Sequence, residues 1–156
     1  MPSHNFMRLK AHILPMSNST NFDVAKTEWA LVAVEISEEW DNCPCGQEIK
    51  EHCYISNRIT GSETYVGNVC INRFIGIDTG TLFAGLKRIA KDPEANPNTA
   101  VIEYAWERGF LFDEKEYRFL LSTARKRNLS QRQASWKSKV NRRILNQTVV
   151  KKRTQR

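Results

Sequence analysis

The sequence predicts an α+β protein, a small cross-linked β-hairpin module followed by a bundle of about four α-helices. Three observations carry that expectation. All four cysteines of the 156-residue chain fall between Cys43 and Cys70. The stretches around them alternate apolar and polar residues as strands do. From about residue 77 onward the apolar residues recur at helical spacing, between helix caps and Pro or Gly breaks.

In chain order, residues 1–26 read as irregular, broken by Pro15 and the polar cluster Ser17–Asn21. The β module is expected over 27–76. Glu28 to Ile36 alternates as a strand with apolar residues on both sides, and Glu38, Glu39 and Asp41 form an acidic loop into a tight turn at Cys43-Pro44-Cys45-Gly46. Proline fixes φ there and glycine tolerates positive φ, so two sulfurs one residue apart can face the same point. Cys53 lies in an alternating strand, with a reversal at Thr60-Gly61-Ser62 and a return strand at Glu63–Val66. Beyond Gly67-Asn68 the pattern becomes helical, which sets Cys70 in a first helical turn where free N–H groups favour a thiolate.

The region 77–150 reads as helical. Asp78 or Thr79 caps a helix holding Leu82, Phe83, Leu86, Ile89 and Ala90. Asn96-Pro97 opens the next, with Val101, Ile102, Ala105 and Trp106 on its apolar face, and Gly109 ends it. Asp113 with Glu116, and Ser130 with Gln133, have the capping-box spacing and open two further helices. In the last of these Leu129, Gln133, Trp136, Val140 and Ile144 share one side. Residues 151–156 form a basic tail.

Four cysteines at spacings C-x-C, C-x7-C and C-x16-C supply the tetrahedral thiolate set of a structural zinc. Cys43, Cys45, Cys53 and Cys70 are the expected ligands of one zinc ion. His52 is the alternative to Cys53, because neighbours on a strand point to opposite faces and only one of the two can coordinate. Disulfides are the rival use of four cysteines, but Cys43 and Cys45 are too close to pair comfortably. A closed four-sulfur shell leaves no place for a catalytic water, so no catalytic residue is assigned.

Net charge divides the chain. Residues 1–112 carry 10 Lys/Arg against 14 Asp/Glu, while residues 113–156 carry 14 against 3. From Tyr117 onward there is no acid at all. Such polarity marks a polyanion-binding surface. Arg125, Lys126 and Arg127, then Arg132, Lys139, Arg142 and Arg143, then Lys151, Lys152 and Arg153 are the expected phosphate contacts. No apolar run is long enough to cross a bilayer. With reduced thiols and no export segment, the expectation is a reducing cytoplasmic setting.

The order of turn, hairpin and helix start resembles a treble-clef zinc finger, or a zinc ribbon with a helix appended. It departs from them in two ways: the turn is one residue short of C-P-x-C-G, and only Cys70 lies at the helix start. At Trp29-x-Leu-Val, Cys43-Pro-Cys-Gly, Gly67-x-x-Cys70, Phe74 and Leu129-Ser-x-x-Gln133 the chain also resembles small zinc-finger proteins of bacteriophages and mobile elements, over roughly residues 28–146. That resemblance implies a structural zinc and a bacterial or viral setting.

The functional expectation is a non-enzymatic zinc-finger protein that binds DNA or RNA through its C-terminal helices. Two alternatives stay open. One is a protein–protein adaptor or subunit of a nucleoprotein complex, such as a regulator of host transcription or replication or part of an RNA-guided effector. The other is a treble-clef nuclease, for which His52 is the one candidate base.

Overall fold

In the computed structural model, which describes residues 4–151, the chain has seven α-helices and one three-stranded antiparallel sheet. It separates into two compact units, residues 1–79 and 80–156.

The first unit opens with α1 (His4–Ile13) where the sequence reads as irregular. Its charged and polar side chains hide the signal, but Leu9 and Ile13, four apart, are fully buried. A short α2 (Phe22–Ala25) follows, capped by the Asn21 side chain. β1 (Trp29–Asn42), β2 (Glu48–Asn57) and β3 (Glu63–Gly67) form the sheet in that spatial order, with β2 central. β1 runs six residues past its expected end and takes in the acidic stretch. Its pairing jumps between Ile36 and Asp41, so Ser37 to Trp40 bulge out of register. Being an edge strand, β1 is less buried than its apolar sequence suggests.

The β2–β3 reversal forms at the expected residues. The Asn57 side chain accepts from the N–H groups of Ile59 and Thr60, and Gly61 supplies the left-handed φ of 77°. Asn57 is itself tied to buried Glu28, whose carboxylate also accepts the Asn18 and Ser19 N–H groups. α3 (Asn68–Ile75) then packs against β2 and β3. Its inward face is Cys70, Ile71 and Phe74, whereas Val69 is half exposed. Phe74 stacks on Phe22 and meets Trp29 edge-on, which knits α2, β1 and α3 into one core.

The second unit contains α4 (Gly80–Lys91), α5 (Thr99–Arg108), α6 (Glu114–Ser122) and α7 (Gln131–Leu145). α4 packs against α5 and α7, and α5 against α6. The cap of α5 is Asn98 rather than Asn96: its side chain accepts from the Val101 N–H at 2.9 Å. Asp113 and Ser130 cap α6 and α7 as expected, Ser130 in a reciprocal box with Gln133. The buried stripe of α7 is rotated from the expected one and holds Lys137, Val140, Asn141 and Ile144. Two of those four are polar, and both find partners in the interior. Lys137 Nζ donates to Asn96 Oδ1 and to the carbonyl and hydroxyl of Thr123, and Asn141 Nδ2 donates to the Pro93 and Ala95 carbonyls. The docking face thus combines apolar Val140 and Ile144 with polar groups that hydrogen-bond in the interior.

Candidate metal centre and basic clefts

The turn at the end of β1 is closed by two hydrogen bonds, Gly46 N–H to the Cys43 carbonyl at 2.7 Å and Cys43 N–H to the Gln47 carbonyl at 2.9 Å. Gly46 has φ 101°, and a Cβ there would lie 2.3 Å from the Arg8 guanidinium. The left-handed φ favours glycine there, and the Arg8 side chain of α1 lies over the turn. Cys43 and Cys45 project from it, and Cys70 meets them from the first turn of α3. The three sulfurs lie within 4.8 Å of one another, and all three residues are buried, reduced and unbridged.

Hydrogen bonding within the cluster favours the thiolate at Cys43 and the thiol at Cys70. The Cys70 thiol donates to Cys43, and despite burial the Cys45 and Gly67 N–H groups add to it, holding Cys43 down at about 5. The Gly67 N–H lies 3.3 Å from Cys43 Sγ. Cys70 is pushed up, first as the donor in that bond and then by burial. Donor chemistry, spacing and N–H support all suit a thiophilic metal ion held by Cys43, Cys45 and Cys70.

Cys53, expected as the fourth ligand, lies outside this cluster. It pairs with Val66 across the sheet, is fully buried, and its sulfur lies 3.9 Å from Thr79 Oγ1. Burial pushes its thiol up to about 12. His52, the alternative to Cys53, also lies outside the cluster of three sulfurs. His52 packs against Tyr65 and Tyr54 and bonds Asp41 Oδ2 through Nε2 at 3.1 Å. Its buried Nδ1 has no hydrogen-bond partner. His12 enters the neighbourhood unannounced. It bonds Thr64 Oγ1 at 2.8 Å, and although burial lowers its pKa, the nearby Cys43 charge opposes that shift. No local spacing links residues 8 and 12 to residue 43, so sequence reading passes over them.

The expected phosphate contacts separate into groups. Arg125, Lys126 and Arg127 are exposed in the α6–α7 connection and line a cleft with Arg88, Asp92 and Glu94. Arg88, on α4, is the addition that tertiary structure makes. Arg132 and Lys139 line a second concavity with Gln131, Ser135 and Trp136. Arg142 is exposed on α7, and Lys151 is exposed where the chain folds back to bond the Gly109 carbonyl. Lys152 and Arg153 lie outside the described residues.

Arg143 departs from the expected row. Its guanidinium donates to Glu116 at 2.7 Å and to the Phe110 carbonyl at 2.9 Å, and lies over the Phe112 ring. Burial works against the Glu116 charge, but Arg143 together with the Phe112 and Trp136 N–H groups holds its pKa below the usual range. Arg143 therefore serves the fold. Its helical angle sets it among the surface bases; a buried carboxylate on another helix turns it inward.

Among the described residues no helix is long and apolar enough to cross a membrane. No protein-family model, curated protein or solved structure matches the chain.

Proposed function

We propose that this chain is a non-enzymatic nucleic-acid-binding protein whose first unit is held by a structural zinc and whose second unit grips the phosphate backbone. The observation that carries the reading is the convergence of Arg88 with Arg125, Lys126 and Arg127 on one cleft, next in sequence to a helix that exposes Arg132, Lys139 and Arg142. Arginine engages phosphate bidentately and lysine as a point charge. Seven exposed cations of this kind have few acidic neighbours, Asp92 and Glu94 being the ones in the cleft. Phosphate contacts of this type give affinity and register without reading sequence.

On this reading the first unit is a treble-clef-like module. Cys43, Cys45 and Cys70 hold zinc, which supplies a cross-link between the turn after β1 and the start of α3. Cys53 is the proposed fourth donor: it is buried, close enough for the Cys43 charge to raise its pKa, and tied only by a long sulfur contact to Thr79. A setting in a bacteriophage or mobile element is the accompanying proposal from the sequence resemblance.

The test is titration of the full chain against labelled DNA and RNA oligonucleotides across a salt series, for the parent and an Arg125→Glu/Lys126→Glu/Arg127→Glu variant. Binding should weaken steeply with salt, since each neutralised phosphate releases counterion. The variant should lose at least about tenfold in affinity and show a shallower salt slope. Equal affinity and slope in parent and variant, at matched circular dichroism, would sink the proposal.

A further inference from the structure

We infer that the nucleic acid is single-stranded, one base stacking on Trp136 while Arg132 and Lys139 hold phosphates on either side of it; the inference rests on the nucleic-acid reading above. Arg132, Trp136 and Lys139 lie at i, i+4 and i+7 on α7, one stripe of the helix. At 1.5 Å per residue the two cations stand roughly 10 Å apart along the axis with the indole between them. Together with Gln131 and Ser135 they line one open concavity.

The indole is held in place before any ligand arrives. Phe119 stacks on one of its faces, ring centroids 4.1 Å apart and planes 9° from parallel. Its Nε1–H donates to Glu116 Oε2 at 3.1 Å, and Glu116 is fixed in turn by Arg143. Phe119 and Glu116 of α6, the latter backed by Arg143, thus fix the orientation of a ring that is only partly buried. An ordinary core tryptophan has no need of two exposed cations flanking it. A ring at the floor of a cationic concavity suits a ligand with an exposed π-face strung between negative charges. Single-stranded nucleic acid is that ligand, because every unpaired base offers its face and every linkage a phosphate. A duplex keeps its base faces stacked inside and presents phosphates alone. The side chains of Gln131 and Ser135 add donors and acceptors at the edge of the same concavity, within reach of a base edge.

The experiment uses the full chain and fluorescein-labelled 12-nucleotide probes of one mixed sequence, as single-stranded RNA, single-stranded DNA and the DNA duplex, read by anisotropy over a salt series. Both single strands, or one of them, should bind at least about tenfold tighter than the duplex. Trp136→Leu should weaken single-strand binding about tenfold with the salt slope unchanged, because a stacking contact and not a phosphate contact is lost. Trp136→Phe, which keeps a π-face and most of the packing on Phe119, should retain most of the affinity. Arg132→Glu/Lys139→Glu, at two exposed positions, should lower both affinity and salt slope. Duplex binding equal to or tighter than both single strands overturns the inference and leaves the broader reading standing. So does parent-like single-strand affinity in Trp136→Leu. Absence of binding to any of the three probes at low salt overturns both.

Discussion

Cys43 and Cys53 are both buried sulfurs, yet their surroundings push them in opposite directions. Cys43 accepts hydrogen bonds from the Cys70 thiol and from the Cys45 and Gly67 N–H groups, and these favour the thiolate. Cys53 has burial as its dominant influence and the hydroxyl of Thr79 as its one opposing partner, so the neutral thiol wins. The sulfurs should therefore differ in what they contribute to metal binding. With zinc measured by elemental analysis and affinity by chelator competition, Cys43→Ser, Cys45→Ser and Cys70→Ser should each lose roughly a hundredfold or more, given the ~10–16 kcal/mol that four donors share in small structural sites. Cys53→Ser should lose less, about tenfold. Unchanged affinity in Cys43→Ser would remove the cluster from consideration as a metal centre. Loss in Cys53→Ser as large as at the other three would make the four sulfurs equivalent.

At the scale of an element, α7 shows how a helix can be docked by polar side chains. Lys137 is fully buried, and burial, with repulsion from Lys126, pushes its ammonium down to about 8. In the unfolded chain the same group keeps its proton to about 10.4. Between these values the unfolded state holds more protons than the folded one, so stability rises with pH across that window and gains nothing from this group below it. The rise should amount to at most about 3 kcal/mol, at ~1.4 kcal/mol per unit. Urea melts of parent and Lys137→Met from pH 7 to 10 would check it. The parent should gain stability relative to the variant as pH increases, and a constant difference would show that the amine is not strained by its burial. Glu116 has the opposite sign. Its folded pKa is depressed, so its contribution is present above the ordinary carboxylate range and fades as pH falls through the depressed value.

For the whole molecule, the two compact units need different supports. The second has four helices, three of them with side-chain N-caps, and an apolar interior that includes Phe83, Ile102, Phe110 and Leu120. The first spreads its core over three strands and three helices, and a small core of that kind gains from a metal staple. If the cysteine cluster holds the proposed zinc, its removal by a strong chelator should act unequally. Hydrogen exchange read by mass spectrometry should accelerate in residues 29–75 and stay near its starting level in residues 80–145. Uniform acceleration across both would mean that the units are not energetically separate. A chelator effect confined to the second unit would place the metal elsewhere.

What the sequence by itself determined was local in origin. The tight turn at Cys43–Gly46, the reversal at Gly61, the Asp113 and Ser130 caps and the clustering of bases after Tyr117 each follow from residues within a few positions of one another. Turn geometry, capping and charge composition act at that range. What only the tertiary structure decided was which side chains share an environment. In α1 the two buried residues are outnumbered by polar ones, and its His12 finds its partner Thr64 fifty-two residues along the chain. The separation of Cys53 from the other three sulfurs follows from its strand facing Thr79. The inward turn of Arg143 follows from Glu116, and the arrival of Arg88 beside Arg125–Arg127 from the packing of α4. Periodicity gives a residue its angle on an element, but the partner opposite decides whether that angle means core, metal or solvent.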